Sequence, residues 1–311
     1  MAARDQATHP PLLAIVGPTA SGKTEASIEV AERLGAEIVS VDSTTVYRGM
    51  DVGTAKPTAE QRGRVRHHVL DVAEPSEPFT VAAYQRLARE AIGETAARRR
   101  RALLVGGSGL YFRAIVDDLV FPPTDPGVRD GLEREAVAVG ARLLHGRLAE
   151  IDPVAAERIE PDNVRRTVRA LEVNEITGRP FSSFADAWER YPPANVRAAG
   201  IEIPRPVLAE RIERRVRRQL DEGLLQEVDG LVRRGLEGWL TASQAIGYAE
   251  CARHLDGTMS LEEAIAQTVR RTKALARRQL AWFRRDPRIR WFPAGEDGAA
   301  PVPEMAEYLR G

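Results

Sequence analysis

The sequence predicts an α/β protein, a parallel sheet flanked by helices and interrupted by a mostly α-helical insertion. Three observations carry that expectation. Leu12-Leu-Ala-Ile-Val16 is a short apolar run ending in glycine, as a buried parallel strand does. Ser27, Val30, Ala31 and Leu34 then recur at helical spacing up to Gly35, a C-cap glycine, and Ile38-Val-Ser-Val41 closes a strand–loop–helix–strand unit. Finally, Leu103-Leu-Val105 runs into Gly106-Gly107 after the Ala/Arg/Glu-rich stretch Tyr84–Arg101, and strands alternating with helices argue for a parallel sheet.

The texture changes further on. Strand-like runs vanish after about Val116, and Ala/Arg/Glu segments follow, bracketed by Pro122-Pro123, Pro153, Pro180 and Pro192-Pro193. Ile201-Glu-Ile203 offers a return to the sheet, and Leu208–Leu236 and Leu261–Phe283 read as helices. The expected organisation is a first core part over 1–115 and a helical insertion over 116–204. The remainder of the core with a basic C-terminal helix covers 205–293, and a peripheral tail covers 294–311. Arg98–Arg101 reads as a solvated helix end.

Composition narrows the classes. The chain has 311 residues, 43% hydrophobic and 29% charged, with 45 basic and 45 acidic residues and zero formal charge. Any polyanion must therefore meet a local patch rather than a basic coat. A single cysteine, Cys251, excludes an internal disulfide and a thiolate zinc cluster and fits a reducing compartment. No apolar run reaches the roughly 20 residues that span a bilayer, and Met1–Pro11 has no hydrophobic signal region. A cytoplasmic protein without membrane association is expected, as a monomer.

The segment Gly17, Pro18, Thr19, Ala20, Ser21, Gly22, Lys23, Thr24 follows a strand and opens a helix, the context that gives this glycine–lysine spacing its meaning. Glycine lets several N–H groups face one anion. The helix terminus, the Lys23 ammonium and the Thr24 hydroxyl add partial charge, full charge and a magnesium ligand. The predicted fold is thus P-loop NTPase-like, with a diphosphate as ligand. The motif does not say whether that diphosphate belongs to a nucleoside triphosphate.

Asp42 ends the second strand, at the sheet edge that faces ligands in open parallel sheets. A magnesium-bridging carboxylate, a general base and an N-cap for the next helix are all compatible with that position. Leu70-Asp71-Val72 is a weak candidate for a second magnesium carboxylate. Asp51-Val-Gly-Thr-Ala-Lys-Pro57 gathers a glycine, a hydroxyl and a lysine, and Gly106-Gly-Ser-Gly-Leu-Tyr111 leaves the third strand with three glycines, exposing Ser108 and nearby N–H groups.

With these segments the chain resembles the tRNA dimethylallyltransferases, also called tRNA isopentenyltransferases, from Gly17 to about Trp291. The resemblance rests on Gly17–Thr24, Asp42-Ser43, Tyr47–Pro57, His67-His68, Gly106–Tyr111, Asn163–Arg166, Arg169–Val173, Ala245–Tyr248 and Arg277–Arg284. It implies transfer of a dimethylallyl group from dimethylallyl diphosphate to N6 of adenosine 37 in tRNA. Lys23 and the loop N–H groups would hold the diphosphate, and Thr24 would help to hold Mg2+. Asp42 would take the N6 proton, with Ser108 and Arg215 supporting diphosphate or acceptor. The anticodon loop would meet Asp42, Ser43, Thr44, Thr45, Ser108, Arg129, Arg165, Arg166, Arg169, Gln244, Gly247, Tyr248, Arg277, Arg278 and Arg284.

The residues fit those roles. A positioned carboxylate relieves the poor nucleophilicity of an adenine amine, and cations neutralise the departing diphosphate. Residues 270–290 hold nine basic residues against one acidic, with arginine pairs seven apart, while Val269, Ala276, Leu280 and Phe283 form an adjoining apolar face. Arg165 and Arg169 stand one turn apart, suited to phosphates, and Tyr248 would stack on a base or pack.

Three departures stand out. Ser108 replaces the family's usual threonine, Thr45 stands where many members have glutamine, and no zinc finger is possible. His67 and His68 lack metal partners at ligand spacing and read as structural. The competing classes are a P-loop nucleotide or metabolite kinase, a transferase acting on free AMP, and a non-catalytic RNA-binding protein with a relic loop.

Overall fold

The computed structural model describes residues 10–117, 119–184, 190–239 and 241–311, so most of the N-terminal segment Met1–Pro11 lies outside the described residues. The first of two compact units comprises residues up to 118 and from Pro193 onward. Its six-stranded sheet is built from β1 (Leu12–Val16), β2 (Ala36–Val41), β3 (His67–His68), β4 (Arg101–Gly106), β5 (Val196–Glu202) and β6 (Ile289–Pro293). The spatial order is β3-β2-β4-β1-β5-β6, and every pairing is parallel. The predicted parallel α/β architecture is what the chain forms.

β1 and β2 are buried along nearly their whole length, which is why they read as continuous apolar runs rather than alternating ones. Between them α1 (Lys23–Leu34) turns Ala26, Ile28, Val30 and Ala31 inward and stops at Gly35, whose φ of 60° places it in the left-handed region. The further helices of this unit are α2 (Ala59–Arg64), α3 (Val81–Ala97) and α4 (Gly109–Val116) before the insertion. The insertion itself carries α5 (Pro126–Val139), α6 (Ala141–Ile151), α7 (Pro153–Arg158) and α8 (Val164–Thr177). The core then resumes with α9 (Arg205–Asp221), α10 (Leu224–Val232), α11 (Tyr248–Leu255), α12 (Leu261–Phe283) and α13 (Val302–Arg310).

Two expected boundaries shift. The helical unit runs from Leu119 to Pro192 rather than over 116–204, because Val196–Glu202 already pairs with β1 as a full strand. The tail over 294–311 is not peripheral. Val302, Met305, Ala306 and Leu309 recur at helical spacing on α13 and are buried with Ile28, Ala31 and Phe292 in one cluster. Strand β6 was also not anticipated, since Ile289-Arg-Trp-Phe alternates weakly and follows a basic helix. The helical unit has its own core of Leu132, Leu144, Leu148, Val168 and Leu171.

Candidate active site

The loop between β1 and α1 opens a cavity of about 760 Å³ at the carboxyl end of the sheet. Gly22, at φ 85°, is the N-cap of α1 and supplies no side-chain cap, so the first-turn N–H groups stay available to an anion. Gly17 and Pro18 are buried behind the loop, while Thr19, Ala20, Ser21, Gly22, Lys23 and Thr24 line the cavity. The Lys23 ammonium donates to the Pro18 carbonyl at 2.5 Å and lies 3.5 Å from Ser21 Oγ. Burial, seconded by the Arg215 charge and opposed by Asp42, lowers its pKa from 10.5 to about 7. Arg215 reaches in from α9, where its guanidinium donates to Thr19 Oγ1 at 3.1 Å and to the Thr54 carbonyl at 3.4 Å.

Asp42 follows β2 and faces the same cavity. Its Oδ1 accepts from the Thr44 N–H at 2.8 Å, the Thr44 hydroxyl at 2.7 Å and the Thr45 N–H at 3.3 Å. The carboxylate is thereby a cap for its own turn and a fixed group at the cavity wall. Among the described residues Oδ2 has no such partner and remains available as an acceptor. Asp71, the weak second carboxylate of the sequence, is unavailable for a metal, because it pairs with Lys56 at 2.6 Å and Arg62 at 2.9 Å. Lys56 is itself buried between Asp71 and Asp51, each at 2.6 Å.

No group of three or more His, Cys, Asp or Glu side chains among the described residues forms a metal cluster. Magnesium shared with a ligand's phosphates needs only one or two protein oxygens. The exposed Thr24 hydroxyl in the cavity fits that requirement.

The structure reassigns several predicted contacts. Ser108 donates its N–H to the Val41 carbonyl at 3.2 Å, so that donor is spent inside the sheet, and it is not among the residues lining the cavity. The glycines around it serve close packing, and Gly106 and Gly107 also line the cavity. A Cβ on Gly106 would sit 2.0 Å from the Val41 carbonyl oxygen, and one on Gly109 would sit 1.9 Å from the Trp282 ring. Thr45 is buried and its hydroxyl lies 3.0 Å from Ser40 Oγ. Tyr248 packs rather than stacks, because it is fully buried and its hydroxyl donates to Glu227 at 2.5 Å. Gly247 is buried with its N–H on the Glu250 carboxylate at 2.8 Å, whereas Gln244 is exposed.

The predicted arginines fall into two groups. Arg165, Arg166, Arg277 and Arg278 are exposed and, among the described residues, pair with no carboxylate. Arg129 and Arg169 instead close on the buried Glu172, at 2.8 and 2.7 Å, and Arg169 also holds the carbonyls of Pro122 and Pro123. Arg284 pairs with Glu202 at 2.8 Å on the surface, where such a pair contributes little. His68 binds Glu37 at 2.7 Å and His67 the Val65 carbonyl at 2.7 Å, which gives both a structural partner. Arg98, rather than being freely solvated, holds Glu37 from the other side at 2.7 Å.

Sequence reasoning missed Gln279, whose Oε1 accepts the Thr19 N–H at 2.8 Å and whose amide fills the space beside Gly107. It also missed the cavity-lining row Arg211, Arg214 and Arg218 on α9, although their helical spacing around Arg215 was a readable signal.

A family model described as IPP transferase matches residues 45–286. The chain belongs to the IPP transferase family. It is 49% identical over 301 residues to the tRNA dimethylallyltransferase of Streptomyces coelicolor, covering 96% of either chain. It is 51% identical over 288 residues to that of Thermobifida fusca, covering 91% of this chain and 89% of the relative. The crystal structure of the full-length tRNA isopentenylpyrophosphate transferase of Bacillus halodurans superposes with a TM-score of 0.70 at 40% identity, covering 97% and 96% of the two chains. A eukaryotic dimethylallyltransferase acting on tRNA shares the fold, with a TM-score of 0.76 at 24% identity over 93% of this chain and 75% of that one. This member of the family is therefore a prenyl-transferring enzyme. Among its described residues no helix is long and apolar enough to cross a membrane.

Proposed function

We propose that this transferase moves a dimethylallyl group from dimethylallyl diphosphate to N6 of adenosine 37 in tRNA, releasing diphosphate. The observation that carries the reading is the meeting of the phosphate loop, Arg215 and Asp42 in one cavity. Lys23, Arg215 and the open first-turn N–H groups of α1 hold the diphosphate. They gain strength as the allylic C–O bond breaks and its electron pair departs on the leaving group. The Thr24 hydroxyl would hold a magnesium ion, which when bound would supply further neutralisation of that charge.

The new bond forms between N6 and the allylic carbon, and Asp42 Oδ2 takes the proton that N6 sheds. Fixing Oδ1 with three donors holds Oδ2 in place before the acceptor arrives. The target base has to leave its stack, which a splayed anticodon loop permits. Exposed Arg165, Arg166, Arg277 and Arg278 are available to the RNA backbone.

Nucleoside mass spectrometry on an anticodon stem-loop incubated with dimethylallyl diphosphate and Mg2+ tests the reading. N6-(dimethylallyl)adenosine is expected without ATP. Its absence, or ATP-dependent phosphorylation of any substrate in its place, would overturn the assignment. Asp42→Ala should lower turnover by roughly 10²–10⁴-fold while leaving stem-loop affinity within about twofold.

A further inference from the structure

We infer that Glu227 is a positioning residue for the donor cavity, its carboxylate fixing the backbone of Asp51–Gly53 and with it the wall that carries Thr54 and Lys56. Glu227 lies on α10, outside the segments that carry the family resemblance. Its Oε2 accepts the N–H groups of Asp51 and Val52 at 2.8 and 2.9 Å. Oε1 accepts the Gly53 N–H at 3.2 Å and the Tyr248 hydroxyl at 2.5 Å. Successive N–H groups turned toward one anion form a nest, and here the protein supplies the anion.

The loop is held on its other side as well. Gln219 Nε2 donates to the Val52 carbonyl at 2.7 Å and the Gly53 carbonyl at 2.8 Å. A Cβ on Gly53 would lie 2.3 Å from the Tyr248 ring, so backbone and ring are in direct contact. Arg215 then ties the Thr54 carbonyl to Thr19 of the phosphate loop. Without Glu227, three adjacent N–H groups would lose their acceptor, and the geometry of Thr54 and Lys56 at the cavity would relax. Glutamine cannot substitute, since it offers one acceptor oxygen and would point an NH2 group at backbone donors.

The inference rests on the proposed reading only in taking the cavity's ligand to be a prenyl diphosphate, and inorganic diphosphate with Mg2+ serves as an independent probe. Calorimetry should show Glu227→Gln binding that probe about tenfold more weakly than wild type, with the KM for dimethylallyl diphosphate rising alike and the KM for tRNA within about twofold. Amide exchange at Asp51–Gly53 should accelerate in the same variant. Glu227→Asp should recover part of the affinity, and Tyr248→Phe, which removes one donor and keeps the ring, should fall between. A folded Glu227→Gln protein with unchanged diphosphate affinity and donor KM, even with a lowered melting temperature, would overturn the positioning role. A wild-type enzyme that fails to prenylate yet binds diphosphate in a Glu227-dependent way would overturn the proposed function and leave this inference standing.

Discussion

Lys23 shows how burial and function pull one residue in opposite directions. Its ammonium donates to the protein's own Pro18 carbonyl, and burial lowers its pKa from 10.5 to about 7. The unliganded enzyme therefore carries this charge below pH 7 and loses it above. A bound diphosphate restores the preference for the charged form. Through Lys23, binding at pH 8 should take up more protons than binding at pH 6. Calorimetry in buffers of different ionisation enthalpy reads this directly, and Lys23→Met should abolish the difference.

The stability sign follows from the same shift. Between about 7 and 10.5 the unfolded chain binds the extra proton, so this residue's contribution to stability rises with pH across that window. Lys23→Met should accordingly raise the melting temperature of the unliganded protein at pH 6. Asp42 and the phosphate loop were legible in the sequence because strand, glycine and charge fall within a short stretch. Tyr248 was not, since only the fold shows that its hydroxyl meets Glu227, 21 residues away.

At the scale of elements, the strands and helices with strong periodicity are where the sequence places them. Helix α12 spans Leu261–Phe283, with Ala276 and Phe283 buried as its pattern requires. The weakly patterned pieces were missed. Strand β3 is two residues long, and β6 is edged by arginines, so neither carries an apolar run. The packing role of the glycine segment after β4 was not legible, because the groups that need the space, the Val41 carbonyl and Trp282, are distant in sequence.

Helix α13 was discounted because a loose glycine- and proline-bearing stretch precedes it, yet Met305 and Leu309 are fully buried. Met305→Ala should cost about 2–5 kcal/mol of stability, read as a lowered denaturation midpoint. A change within a few tenths of a kcal/mol would show the helix to be peripheral after all.

For the whole molecule, a formal charge of zero conceals an uneven distribution. The sequence made the basic stripe of α12 visible but could not say which arginines are already occupied, because a partner such as Glu172 is recognisable only once burial is known. Arg129 and Arg169 neutralise that fully buried carboxylate, which also accepts the Asp125 N–H at 3.0 Å. Removing either leaves a buried charge under-compensated. Arg277 and Arg278 are exposed and, among the described residues, pair with no carboxylate, so they are available to RNA phosphates.

The two groups should separate when stem-loop binding is measured against salt. Arg277→Ala and Arg278→Ala should each flatten the slope of log affinity against log salt by about 0.7 per lost phosphate contact, with melting temperature unchanged. Arg129→Ala and Arg169→Ala should instead lower the thermal stability of the helical unit and leave the slope of the remaining folded protein as it was. A slope that falls with Arg169 and not with Arg277 would move the RNA contact from the basic helix to the insertion.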